Sequence, residues 1–420
     1  MKKDEGLLLK FPGHFLWGAA SAAHQVEGSN HNQWTVWELE HAKILAETAK
    51  YQANYLPKWD QIKADATNPA NYVSGKATDH YNRYQEDFAL IKKLNMNAWR
   101  FSIEWSRVEP EEGAWNAEAI EHYRVYLKKL AAIGVEPIVT LWHWTVPVWF
   151  EQKGGFTKRS NIGYFLRFAE KVFDELGQNF RYVITLNEPE VYAAKSFLLG
   201  EWPPQRRSKT EALVVLLNLI SVHKKVYKAA KKKGRKYLIS IAKNTAHHYA
   251  GDDAVLSQTT AKVMSWVEDG FLLGRIKKYL DFIGLNYYFS NRYYGYRQHN
   301  ENLRRSDLGW DMRPADIEIV LKQLYDQYNL PIIITENGLA DHDDEFRKWW
   351  LSQTLMAMHR AIQSGVRLEG YLHWSLTDNF EWSSGFWPRF GLAEVDYKTK
   401  KRTLRPSAIW FGKIIKQIRG

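Results

Sequence analysis

Pro331-Ile-Ile-Ile-Thr-Glu336-Asn-Gly338 decides the fold. Three isoleucines and a threonine run straight into a carboxylate, and the carboxylate runs into an Asn-Gly turn. The pattern is a buried strand that carries Glu336 to its C-terminal end and stops. Tyr182-Val-Ile-Thr-Leu-Asn187-Glu188-Pro189 has the same design. Pro189 has no N–H and cannot extend a ladder, so Glu188 also stands where a strand gives out. Two glutamates at the ends of two buried strands are what paired-carboxylate chemistry requires.

Working outward, the design repeats. Strand-like runs occupy 11–21, 97–107, 135–144, 182–188, 237–244, 281–288, 331–336 and 368–376. Helical spacing of apolar residues covers about 79–94, 117–133, 161–177, 209–233, 254–279, 315–329 and 343–364, with a last helix at 406–418. A polar, aromatic loop with Asn30, Trp34 and Trp37 follows the first strand, and 38–76 read as irregular to weakly helical. Near-continuous apolar strands alternating with helices specify an α/β protein with a parallel sheet covered on both faces. Eight such units closing on themselves make a (β/α)8 TIM barrel. An open doubly wound sheet is the alternative, but no Gly-rich phosphate turn follows an early strand. Without a linker, a low-complexity tract or a repeat beyond the βα unit, residues 1–420 read as one domain.

Composition narrows the function classes. Of 420 residues, 45% are hydrophobic and 25% charged, as in ordinary globular proteins. No apolar run approaches the roughly 20 residues of a membrane span. Met1 to Lys10 begins like a signal peptide, but Asp4, Glu5 and only three leucines argue against one. There are no cysteines, which excludes thiolate nucleophiles and Cys-ligated metals and suits a cytoplasmic protein. A net charge of +11 raises nucleic-acid binding as an alternative. The densest basic run, Lys224 to Lys236, reads instead as a helix end stopped by Gly234, where cations complement the helix dipole. Nineteen Trp and 23 Tyr offer flat faces with polar edges, which suit sugars as well as a core.

The polar residues collect at the strand ends: Gln25, Arg100, His143, Asn187, Glu188, Asn286, Tyr288 and Glu336. Each alone is ordinarily a strand-end cap or a satisfied core group. Eight at the C-terminal face of one barrel mark a site.

These residues lie in stretches that resemble the glycoside hydrolase family 1 β-glycosidases along nearly the whole chain. The matching stretches are Phe15-Leu-Trp-Gly-Ala-Ala-Ser21, Gln25-Val-Glu-Gly28, Arg100-Phe-Ser-Ile-Glu-Trp-Ser-Arg107 and Leu141-Trp-His143-Trp144. Thr185-Leu-Asn-Glu188-Pro189, Gly284-Leu-Asn-Tyr-Tyr288, Ile334-Thr-Glu336-Asn-Gly338 and Trp374-Ser-Leu-Thr-Asp378-Asn-Phe-Glu381-Trp382 complete the set. The resemblance implies a retaining exo-β-glycosidase acting on terminal β-D-glucosyl residues, and on galactosyl or fucosyl ones, through a covalent glycosyl-enzyme. Glu188 would be the acid/base and Glu336 the nucleophile, with Arg100, Tyr288 and Asn187 beside them. Gln25, His143, Asn187 and Glu381 look like the hydrogen-bonding set for the sugar, and Trp374 and Trp382 like its stacking and edge contacts. Trp144 and Asn286 join the substrate-binding residues. Trp310 resembles the aromatic of the leaving-group subsite, bordered by Asn244. A carboxylate at Glu381 would repel a 6-phosphate. The implied partner is a β-glycoside or oligosaccharide, with no nucleic acid, membrane, metal or cofactor.

The chain departs from the family in one region: 244–286 is shorter than expected, which opens the leaving-group side. Thr145-Val146-Pro147 also replaces the usual acidic-Leu-Pro turn. A transglycosidase and a non-catalytic sugar-binding relative are the alternatives; the second usually loses a glutamate, and here both are kept.

Overall fold

The computed structural model describes residues 9–419. The signal-peptide question falls largely on 1–8, outside the described residues. Eight strands close into a parallel barrel in chain order, and the first pairs with both the second and the eighth. They are Leu16–Ala20, Ala98–Ser102, Glu136–Thr140, Tyr182–Asn187, Leu238–Asn244, Ile283–Asn286, Ile332–Asn337 and Leu368–Trp374. Almost every strand residue is buried, because side chains on one face fill the barrel and those on the other meet the helices.

The helical layer follows from the apolar spacing. Ile162–Leu176 buries Phe165, Phe168, Ala169, Val172, Phe173 and Leu176, one stripe along one face. Each large side chain so buried contributes about 1.5–3 kcal/mol. The basic run ends the helix Lys209–Lys232, and Gly234 turns the chain at φ +71°. Lys231 pairs with Asp281 at 2.8 Å, and Lys224 and Lys228 each lie 5.5 Å from the Tyr279 ring centre. Among the described residues, no helix is long and apolar enough to cross a membrane.

Three features differ from the sequence reading. The stretch 38–76 is not irregular: Gln33–Gln52 and Trp59–Ala66 are helices. Trp34 and Trp37 sit in the first turns of the longer one, not in a loop. Asn32 caps it, accepting from the N–H groups of Trp34 and Thr35. Its inner stripe is largely Ala42, Ala46 and Ala49, too small to stand out as an apolar face. Second, the hydrogen-bonded strands stop earlier than their apolar runs. Strand two ends at Ser102 and strand three at Thr140. The apolar residues beyond stay buried off the ladder, Trp105 against Phe150, Phe165 and Phe168, and Trp144 in the mouth, so the pattern continues where the ladder does not. Third, strands His247–Ala250, Ser290–Tyr294 and Arg297–Gln298 form a small sheet above barrel strands five and six. It walls one side of the mouth.

Candidate active site

Barrel strand seven brings Glu336 to the mouth. Its Oε1 accepts from Arg100 Nη1 at 2.5 Å and its Oε2 from the Tyr288 hydroxyl at 2.7 Å. Arg100 is fully buried and held in place: its Nε donates to Thr140 Oγ1 at 3.0 Å and its Nη2 to Asn187 Oδ1 at 2.7 Å. Asn286 also donates to that oxygen, at 3.3 Å. Two donors on Asn187 Oδ1 leave its amide NH2 facing His143 Nε2, 3.1 Å away. His143 Nε2 is therefore the acceptor, and its proton sits on Nδ1. Burial, with Arg100 next, holds this histidine well below its ordinary value, so it is neutral.

Glu188 follows strand four and begins the short helix Pro189–Ala193 in the left-handed region, at φ 41°. Few residues other than glycine stand there without support from their surroundings. Its N–H donates to the Ala242 carbonyl at 2.8 Å, and its Oε1 accepts from Asn286 Nδ2 at 2.7 Å. Asn286 is oriented in turn by Thr335 Oγ1, which donates to its Oδ1 at 2.7 Å.

The two carboxylates differ in what surrounds them. Burial, then the Glu336 charge, then Glu190 push Glu188 well above the carboxylate range. Burial raises Glu336 as well, and Arg100 first and Tyr288 next offset part of that rise. These surroundings favour the proton on Glu188, while Arg100 and Tyr288 favour the charge on Glu336.

Both face one cavity of about 490 Å3, with His143, Trp144, Trp310, Trp374, Glu381 and Trp382 in its wall. The Trp374 and Trp382 rings stack near His143, at 5.9 and 6.0 Å between centres. Trp144 anchors its ring N–H on the Asn187 carbonyl at 2.9 Å. Gln25 donates to Glu381 Oε2 at 3.3 Å. Gln25, Asn187, Arg100 and Asn286 stand behind this wall: Asn286 works on Glu188 and Gln25 on Glu381. Gln25 Oε1 and His143 Nδ1 are among the buried polar atoms without a hydrogen-bond partner. Such atoms are costly unless something fills them. Glu381 is pushed up to about 8, by burial first and Glu336 second. At neutral pH it holds a proton, so it does not supply the charge repulsion expected against a phosphate.

The family model described as Glycosyl hydrolase family 1 matches residues 8–273 and 268–419. The chain belongs to this family. It is a glycoside hydrolase, acting on O-glycosyl bonds. A 1,4-beta-D-glucan glucohydrolase of Thermotoga neapolitana is 31% identical over 458 aligned residues, covering 97% of this chain and 98% of that protein. The solved beta-glycosidase from Pyrococcus horikoshii is 34% identical, with a TM-score of 0.84 over 97% of this chain and 95% of that one. The beta-glucosidase from Thermotoga maritima in complex with glucoimidazole is 29% identical, with a TM-score of 0.84 over 97% and 99%.

The family motifs do not cover everything at the mouth. Trp202 packs against Trp144 at 4.6 Å and lines the cavity. Glu190, Lys243, Glu268 and Asp269 form a largely buried charged cluster next to Glu188. The sequence held one signal for it: Lys243, a charge at the end of an otherwise apolar strand.

Proposed function

We propose that this family-1 hydrolase is a retaining exo-β-glycosidase that removes terminal β-D-glucosyl residues and also accepts galactosyl and fucosyl ones. One observation carries the reading. Two carboxylates face a single cavity: burial and neighbouring carboxylates push Glu188 well above the ordinary range, and Glu336 accepts from Arg100 and Tyr288. In the first step a Glu336 oxygen attacks the anomeric carbon. The bond to the aglycone oxygen breaks, and Glu188 gives that oxygen its proton. The Glu336 charge is consumed in the ester, so its repulsion of Glu188 disappears and Glu188 stays ionised. In the second step a water attacks the anomeric carbon and loses its proton to Glu188, and the ester bond breaks. Two inversions give retention.

His143 Nδ1 and protonated Glu381 supply donors for sugar hydroxyls, Gln25 orients Glu381 from behind, and Trp374 and Trp382 supply the apolar faces. Names of relatives favour glucose: glucohydrolase and beta-glucosidase recur among them, beside a beta-galactosidase of Sulfolobus acidocaldarius. We also propose that the chain is one domain shortened between strands five and six. An alignment longer than the chain, and a family match in two pieces that meet at 268–273, support this.

The test is hydrolysis of a panel of aryl β-glycosides by the wild type, Glu336→Ala and Glu188→Ala, with azide added back. Azide should rescue Glu336→Ala to the inverted glycosyl azide and Glu188→Ala to the retained one. A wild type that binds sugars but cleaves none would overturn the reading.

A further inference from the structure

The cluster beside Glu188 has a definite construction. Lys243 is completely buried at the end of barrel strand five. Its Nζ lies 3.0 Å from Glu190 and 3.3 Å from Asp269. Glu190 is in the first turn of the helix that Glu188 begins. Its Oε1 also accepts the N–H of Asn244 at 3.1 Å. Three consecutive residues, Ala242, Lys243 and Asn244, thus grip both glutamates: Ala242 takes the N–H of Glu188, and the next two take the side chain of Glu190.

The far side of Lys243 is closed by a π-helical turn, Trp266–Gly270, which interrupts the helical stretch after strand five. The turn carries Glu268 and Asp269. Asp269 accepts from Thr245 Oγ1 at 2.9 Å, and Glu268 accepts the Ala246 N–H at 3.2 Å and pairs with His248. Such a turn interrupts regular helical hydrogen bonding and occurs frequently at functional sites. This one overlaps the junction at 268–273 where the two pieces of the family match meet.

We infer that the Lys243–Glu190 ion pair, clamped by Asp269 and Glu268 of this turn, is a positioning network that fixes Glu188 and governs its proton transfer. The inference rests on Glu188 being the acid/base. Glu188 is faced by Glu336 from strand seven, Glu190 from its own helix and Lys243 from strand five. Arg100 and Tyr288 act on it through Glu336, and Asn286 donates to it directly. Glu190 repels the Glu188 charge and Lys243 attracts it, so the paired network leaves Glu188 able to keep its proton. Breaking the pair at Glu190 leaves an excess cation and pulls the proton away earlier.

The experiment is the pH profile of kcat/KM on an aryl β-glucoside, whose alkaline limb reports loss of the acid's proton. Glu190→Gln should move that limb down by about half a pH unit or more, and adding Lys243→Met to it should move the limb back up. A merely structural pair would not give shifts of opposite sign. Asp269→Asn, farther from Glu188, should shift the limb down by less, and it carries the test where Glu190→Gln does not fold. Limbs within about 0.2 pH unit of wild type in the folded variants would overturn the inference. Glu188→Gln separates the two claims, read on a substrate whose leaving group needs no proton. If it keeps the alkaline limb, the acid/base assignment fails. If it loses the limb while Glu190→Gln leaves it unmoved, only the network fails.

Discussion

Tyr288→Phe removes one hydroxyl and keeps the ring. The ring's neighbours, Trp310 at 5.6 Å and Phe390 at 6.3 Å between centres, hold its replacement in the same place. What is lost is the 2.7 Å bond to Glu336 Oε2. A hydrogen bond to a charged acceptor contributes about 1.5–3 kcal/mol. At 1.36 kcal/mol per unit, the Glu336 pKa should rise by about one to two units. The sign follows from the role: the nucleophile works only when ionised, so a higher value moves the acid limb of kcat/KM upward. Below that limb the variant should be about 10- to 100-fold slower than wild type. The assay is kcat/KM against pH on an aryl β-glucoside, with thermal unfolding as a check on folding. An acid limb within about 0.3 unit of wild type would refute the reasoning, because Arg100 alone would then hold the charge.

Other consequences can be measured separately. Glu381 has a folded value of about 8 against an ordinary 4.5, so its contribution to stability is complete below 4.5 and lost as pH rises through 8. Glu381→Gln should therefore gain in Tm relative to wild type between pH 5 and about pH 8.5 while losing activity; a Tm difference that ignores pH would contradict this. A Cβ at Gly338 would stand 1.8 Å from the Trp374 carbonyl oxygen, so Gly338→Ala should cost about 1–3 kcal/mol or more in denaturant unfolding. Asp378 is fully buried, pairs with Arg405 at 3.0 Å and accepts the Gly391 N–H at 2.9 Å. Asp378→Ala strands that arginine and should cost about 3–5 kcal/mol by the same measurement.

The Ile332–Asn337 and Tyr182–Asn187 strands, and the helices between them, follow from periodicity, because each buries a continuous apolar face. The Gln33–Gln52 helix does not, since its stripe is alanine and its start depends on a cap at Asn32. The strand-end polar residues could be picked out one by one, and family motifs named their roles. Their division of labour was less legible: Asn286 sits behind Glu188 rather than in the wall, and Glu381 is protonated.

The sequence by itself determined the barrel, the two glutamates and the arginine and tyrosine beside one of them. The barrel and the two strand-end glutamates rest on local facts, an apolar run, a proline, a turn; the arginine and tyrosine rest on the family motifs. Only the tertiary structure sets the environment that pushes Glu188 up, because that depends on burial and on charges brought by Glu336, Glu190 and Lys243 from separate parts of the chain. It alone placed Lys243 between Glu190 and a turn about 25 residues further on, since such an ion pair depends on where two chain segments meet, not on the spacing within either one.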